Sequence, residues 1–134
     1  MEKDSQIFKK NKKSFKRFTL SFKYCYEGIR YAFYHEQNII VMLVMGIVAM
    51  ILGMILGISY TERLVVILLI GMILSLEMIN TAIEAVVDLV TTEKKPLAKV
   101  AKDCASGAVG IASIFAFILG ILIYLPKLMV FFRG

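Results

Sequence analysis

The sequence is short of the patterns that carry most soluble chemistry. It has two cysteines, Cys25 and Cys104, and they form no C-x-x-C pair, which leaves neither a disulfide framework nor a metal knuckle. Its one histidine, His35, reads as a headgroup-level residue without special duty, although Glu36 is its neighbour. There is no G-x-x-x-x-G-K-S/T phosphate loop, no G-x-G-x-x-G turn and no protein-kinase catalytic loop. A nucleotide could therefore be cradled only by side chains on helices. No cleavable leader is recognisable either: the first long apolar run starts only at Ile39, and no A-x-A site follows it.

What the chain does have is apolar surface. Of its 134 residues, 59% are hydrophobic, against roughly 45–50% in soluble domains. Water cannot be its only solvent, and the length suits one domain. The formal charge of +6 is unevenly spread: nine of the sixteen Lys and Arg residues lie between Lys3 and Arg30, and four more between Lys94 and Lys102. Basic clusters beside apolar runs read as cytosolic and facing anionic lipid. A basic arm can also hold nucleic acid, but that would not explain the apolar remainder, and no nucleic-acid partner is expected.

Ile39 to Ile58 is an uncharged run of twenty residues, about the length that crosses a ~30 Å hydrocarbon layer. Ser59–Arg63 is a polar turn. A second apolar segment covers residues 64–90, interrupted by Glu77, Asn80, Glu84 and Asp88, and a third covers 97–125, ending at Pro126. Residues 1–35 are too charged to span, yet Phe15, Phe18, Phe22, Tyr26, Ile29 and Phe33 recur at helical spacing, which predicts a helix lying in the membrane interface. The expected architecture is all-α: a single membrane-embedded domain with an amphipathic surface helix (1–35) and three transmembrane helices (39–58, 64–90 and 97–125). The basic clusters predict a cytosolic N-terminus and a C-terminus outside. Small residues repeat every fourth position, at Ala49, Gly53 and Gly57 and at Ala108, Ala112, Ala116 and Gly120. Such faces let helices approach closely within or between protomers. Three spans enclose little volume, so an oligomer is expected.

Glu77, Asn80, Glu84 and Asp88 fall at i, i+3, i+7 and i+11 and share one narrow stripe of a helix. Each acidic residue at mid-membrane costs about 2.5–3.5 kcal/mol to insert. The stripe therefore implies partners, a cation or a chemical task. A ladder of buried hydrogen bonds, an ion pathway and a phosphoryl-transfer site all fit such a stripe. The third is suggested by the lysines of Lys99-Val100-Ala101-Lys102-Asp103 just beyond the connection, since phosphoryl transfer needs carboxylates for Mg²⁺ and cations for phosphate oxygens. An ion-coupled or multidrug transporter would use Glu77 as its titrating carboxylate, but would not need Glu36, Lys102 and Asp103 together on the cytosolic face.

The block Glu77-Met78-Ile79-Asn80-Thr81-Ala82-Ile83-Glu84-Ala85-Val86-Val87-Asp88, followed by Ala101-Lys102-Asp103 and Ala105-Ser106-Gly107-Ala108-Val109, resembles the bacterial diacylglycerol kinase family. These are small trimeric membrane enzymes that include the undecaprenol kinases of Gram-positive bacteria. Tyr24, Gly28-Ile29-Arg30 and Glu36 match the family's amphipathic helix and the entry to its first span. The resemblance implies a homotrimer that phosphorylates a lipid alcohol with ATP and Mg²⁺, with undecaprenol the expected substrate and diacylglycerol the alternative. It implies Glu77 as catalytic base, with Asn80 packed beside it. Glu36 and Glu84 correspond to the residues holding the metal on ATP. Arg17, Tyr24, Glu93, Lys94, Lys95, Lys102 and Asp103 correspond to further ATP contacts, and Ser106 to a residue near the lipid headgroup. Some members carry a histidine where Lys95 stands.

Overall fold

A computed structural model describes the backbone of residues 2–133 and the side chains from residue 15 onward. Four helices follow one another: α1 (Glu2–His35), α2 (Gln37–Ile55), α3 (Tyr60–Val90) and α4 (Pro96–Arg133). The chain divides into two compact units, residues 1–35 and 36–134.

The first unit is α1 itself. Its side chains brace one another along the helix at four-residue spacing. Phe18 and Phe22 meet edge to face at 5.1 Å, the Arg30 guanidinium lies over the Tyr34 ring at 5.6 Å, and Tyr31 stacks on His35 at 4.1 Å. Phe15, Phe18, Phe22 and Tyr26 are exposed. A single extended residue, Glu36 (φ −113, ψ 110), separates α1 from α2.

In the second unit, α2, α3 and α4 are each long and apolar enough to cross a membrane. α3 packs against both of the others. Its start is fixed by a capping box in which Ser59 N–H donates to Glu62 Oε2 at 2.6 Å and Glu62 N–H donates to Ser59 Oγ at 3.3 Å. This pairing satisfies two of the N–H groups that a helix start leaves unpaired.

The hydropathy of residues 39–58 predicts a helix to Ile58, yet α2 ends at Ile55. The reason is Gly57, whose φ of 64 is left-handed. Around it Ile58 N–H donates to the Gly53 carbonyl at 3.0 Å and Gly57 N–H to that of Met54 at 3.4 Å, a Schellman stop. Ile58 is apolar because it packs inward, with Val66 and Ile123. It crowds Gly53: a Cβ there would stand 2.6 Å from Ile58 Cδ1, so the isoleucine would have to shift.

α4 departs from expectation at its other end, running through Pro126 to Arg133. Proline lacks the N–H that would serve the carbonyl four residues back, a loss of about 3 kcal/mol in a helix interior. Contacts on both sides hold the helix course. The half-buried Tyr124 donates its hydroxyl to the Ala49 carbonyl of α2 at 2.8 Å, and Lys127 Nζ lies 3.8 Å from Glu62.

Candidate active site

The only buried polar side chains among the described residues are Glu77, Asn80 and Thr81, with exposures of 3%, 9% and 7%. Glu77 and Asn80 are the first two members of the stripe on α3, and Thr81 follows Glu77 by four residues. Thr81 turns its hydroxyl back onto its own helix, donating to the Glu77 carbonyl at 3.0 Å. Asn80 Nδ2 donates to Glu84 Oε1 at 3.1 Å. Its Oδ1 is buried without a hydrogen-bond partner, and a lone buried acceptor costs about 1–3 kcal/mol. No hydrogen bond reaches the Glu77 carboxylate among the described residues. The Glu77 carboxylate and Asn80 Oδ1 therefore stand on neighbouring turns, neither accepting a hydrogen bond among the described residues.

From Glu77 the stripe continues to Glu84 and Asp88, seven and eleven residues along, or about 10 and 16 Å at 1.5 Å per residue. Asp88 opens a cleft of about 690 Å³ between the end of α3 and the start of α4. Of the sequence-predicted ATP contacts, Glu93, Lys94, Lys95, Lys102 and Asp103 all line it. Three ion pairs cross its surface: Lys102 to Asp88 at 2.6 Å, Lys95 to Glu93 at 3.6 Å and Lys99 to Asp103 at 3.7 Å. Lys94 has no ion-pair partner among the described residues. Such exposed pairs contribute only about 0–1 kcal/mol each, so phosphate oxygens can displace the carboxylates at little cost. The cleft is thus suited to a polyanion, with four lysines against three acids.

The other expected residues are placed differently. Ser106 is exposed on α4, one turn beyond Lys102. Glu36 caps α2 without a side-chain capping bond and is half-buried. Arg17 and Tyr24 lie on α1, in the other unit. No group of three or more His, Cys, Asp or Glu among the described residues gathers tightly enough to hold a metal alone. That does not count against Mg²⁺ bound with a nucleotide, which takes one or two carboxylates plus phosphate oxygens. Glu84 suits this role, being half-buried with one oxygen fixed by Asn80.

The residue that sequence reasoning left without a role is Asp88. It is the fourth member of the stripe, and its place at i+11 was visible, but its pairing with Lys102 crosses a helix-to-helix connection. It holds the Lys102 ammonium at the cleft wall.

The family described as prokaryotic diacylglycerol kinase matches this chain over residues 23–124. An undecaprenol kinase of Bacillus subtilis (strain 168) is 40% identical over 120 residues, which are 90% of this chain and 98% of the relative. A diacylglycerol kinase of Synechocystis sp. is 37% identical over 82% of this chain and 63% of its own length. One from Helicobacter pylori (strain J99) is 36% identical over 81% of this chain and 85% of its own.

Proposed function

This chain belongs to the prokaryotic diacylglycerol kinase family, and we propose that it transfers the γ-phosphoryl group of ATP to the hydroxyl of undecaprenol. It is a multi-pass membrane lipid kinase. The observation that carries the reading is one helix face, which runs from the buried Glu77 to a lysine-lined cleft at Asp88. Undecaprenol is preferred because the B. subtilis relative of that activity aligns over nearly its whole length. Diacylglycerol is the second reading, carried by the names of the Synechocystis and H. pylori relatives.

In this proposal Glu77 accepts the proton of the lipid hydroxyl as the oxygen attacks phosphorus. Asn80 Oδ1, the unpartnered acceptor, steers the hydroxyl hydrogen on entry, while its Nδ2 keeps Glu84 in line. Lys102, held by Asp88, binds phosphate oxygens together with Lys94 and Lys95, and Glu93 and Asp103 shape the rest of the nucleotide cleft. Glu36 and Glu84 would hold the Mg²⁺ of Mg·ATP, which neutralises charge on the phosphates. The resemblance implies further ATP contacts at Arg17 and Tyr24, and a residue near the lipid headgroup at Ser106. α1 lies amphipathic in the membrane interface, and the assembly is a homotrimer, as the resemblance of the Glu77–Asp88 block implies.

The test is phosphorylation of undecaprenol and dioleoylglycerol side by side in detergent micelles with radiolabelled ATP. Undecaprenol should have the higher kcat/KM by about tenfold, within the reach of apolar discrimination. A preference for dioleoylglycerol would replace the first reading by the second, and phosphorylation of neither would remove both.

Orientation has its own test. In this proposal the N-terminus and the Lys94–Lys102 connection are cytosolic, a reading supported by their basic clusters. In a variant lacking Cys25 and Cys104, an impermeant thiol reagent applied to intact cells should label Ser59→Cys and leave Thr92→Cys unlabelled. Labelling of Thr92→Cys would overturn this orientation.

A further inference from the structure

A second cavity, of about 370 Å³, opens between α2, α3 and α4, and nothing in the proposed chemistry uses it. Its walls are almost wholly apolar: Met42 and Met45 from α2, Ile70 and Ile73 from α3, Phe117 and Gly120 from α4. Tyr124 borders one end, its hydroxyl already engaged by the Ala49 carbonyl. Ser113 lies toward the other, eleven residues earlier on α4.

The position of this groove relative to Glu77 identifies its occupant. On α3 the groove residues Val66, Ile70 and Ile73 precede Glu77 by eleven, seven and four positions. Asn80, Glu84 and Asp88 follow it by three, seven and eleven. All seven share one face at 100° per residue. That face is apolar before Glu77 and polar after it, so the buried carboxylate sits on the boundary between an apolar track and the nucleotide cleft. An alcohol whose hydroxyl meets Glu77 has its tail at the mouth of the track. The track runs about 16 Å from the level of Glu77 to that of Val66. Its volume holds about a dozen groups of water size at ~30 Å³ each. That is one chain, not the two of a diacylglycerol, and the methionine walls can adapt to branches along it.

We propose that this groove binds the hydroxyl-proximal part of a single polyprenyl tail, with Gly120 and Tyr124 at its far end, and so helps to select the lipid substrate. The proposal rests on the lipid-alcohol kinase reading and adds a specificity determinant to it.

Gly120 supplies the test, because a Cβ added there meets nothing within 4 Å. A leucine would extend into the far end of the groove without displacing backbone. kcat/KM is measured for geraniol, farnesol and undecaprenol with wild type, Gly120→Leu and Ser113→Leu. In Gly120→Leu the ratio of undecaprenol to geraniol turnover should fall about tenfold, as expected when an apolar site loses room for one or two carbons. Ser113→Leu, at the near end, should lower all three alike. An unchanged ratio in Gly120→Leu overturns the proposal, and so does a uniform loss that follows a change in oligomer size, which would make the groove an interface between copies. If Gly120→Leu does not fold, Gly120→Val carries the same comparison. Wild type that phosphorylates dioleoylglycerol but no polyprenol overturns the polyprenyl occupant together with the undecaprenol reading. Wild type active on undecaprenol with an unchanged ratio in the variant overturns the groove alone.

Discussion

Glu77→Gln should lower lipid phosphorylation by about 10²–10⁴-fold, the usual worth of a positioned general base, while ATP still binds. A lipid hydroxyl is a poor nucleophile because its proton must leave as the bond to phosphorus forms. Glutamine keeps the size of the side chain but cannot take that proton. The site is well suited to reveal the difference. Glu77 is 3% exposed, and no protein hydrogen bond to its carboxylate would be lost among the described residues. The substitution also removes a charge from within a span, which is not costly to folding. Single-turnover phosphorylation measured beside nucleotide binding separates the outcomes. If the stripe were only a ladder of hydrogen bonds, the variant would be nearly silent or would weaken assembly first. Turnover close to wild type would remove Glu77 from the chemistry.

Glu84→Gln and Glu36→Gln should each raise the Mg·ATP concentration needed for half-maximal activity by about 10–100-fold. This is the range seen when groups that only support a metal site are altered, so direct ligands should lose no less. In Glu84→Gln the side-chain oxygen can still accept from Asn80 Nδ2, which holds Oε1 at 3.1 Å in the wild type. The loss would therefore report charge at the metal rather than a collapsed helix face. Activity titrated with Mg²⁺ at fixed ATP checks it, and excess Mg²⁺ should recover part of the rate. Wild-type dependence on both in the two variants would exclude the assignment.

The stripe from Glu77 to Asp88 was legible in the sequence because helical periodicity alone sets which residues share a face. The three apolar helices were legible because a run without charge has few other solvents open to it. Their ends were less so. Ile58 counts as apolar whether it continues a helix or folds back onto Val66 and Ile123, and only the left-handed Gly57 decides between the two. Pro126 reads as a stop, yet α4 passes through it beside the Tyr124 and Lys127 contacts. The Asp88–Lys102 pair spans fourteen residues and depends on how two helices meet, which no local pattern encodes. The apolar groove was invisible for a simpler reason. Ile70, Ile73 and Phe117 look the same in a sequence whether they face lipid or a cavity.

The turn between α2 and α3 has one further consequence. A Schellman stop ending at Ile58 is followed at once by the Ser59 capping box, with no uncommitted residue between them. The junction therefore fixes the angular phase of α3 against α2 as a keyed shaft fixes a gear. One residue inserted there and absorbed by the helix would turn the rest of α3 by 100°. Glu77 would leave the side of the helix that meets the groove, and the whole line from Val66 to Asp88 would turn with it. The opposite connection, Thr91–Lys95, joins α3 to α4 after that line has ended. Changes in length there alter the shape of the lysine-lined cleft but leave the phase of the carboxylates intact.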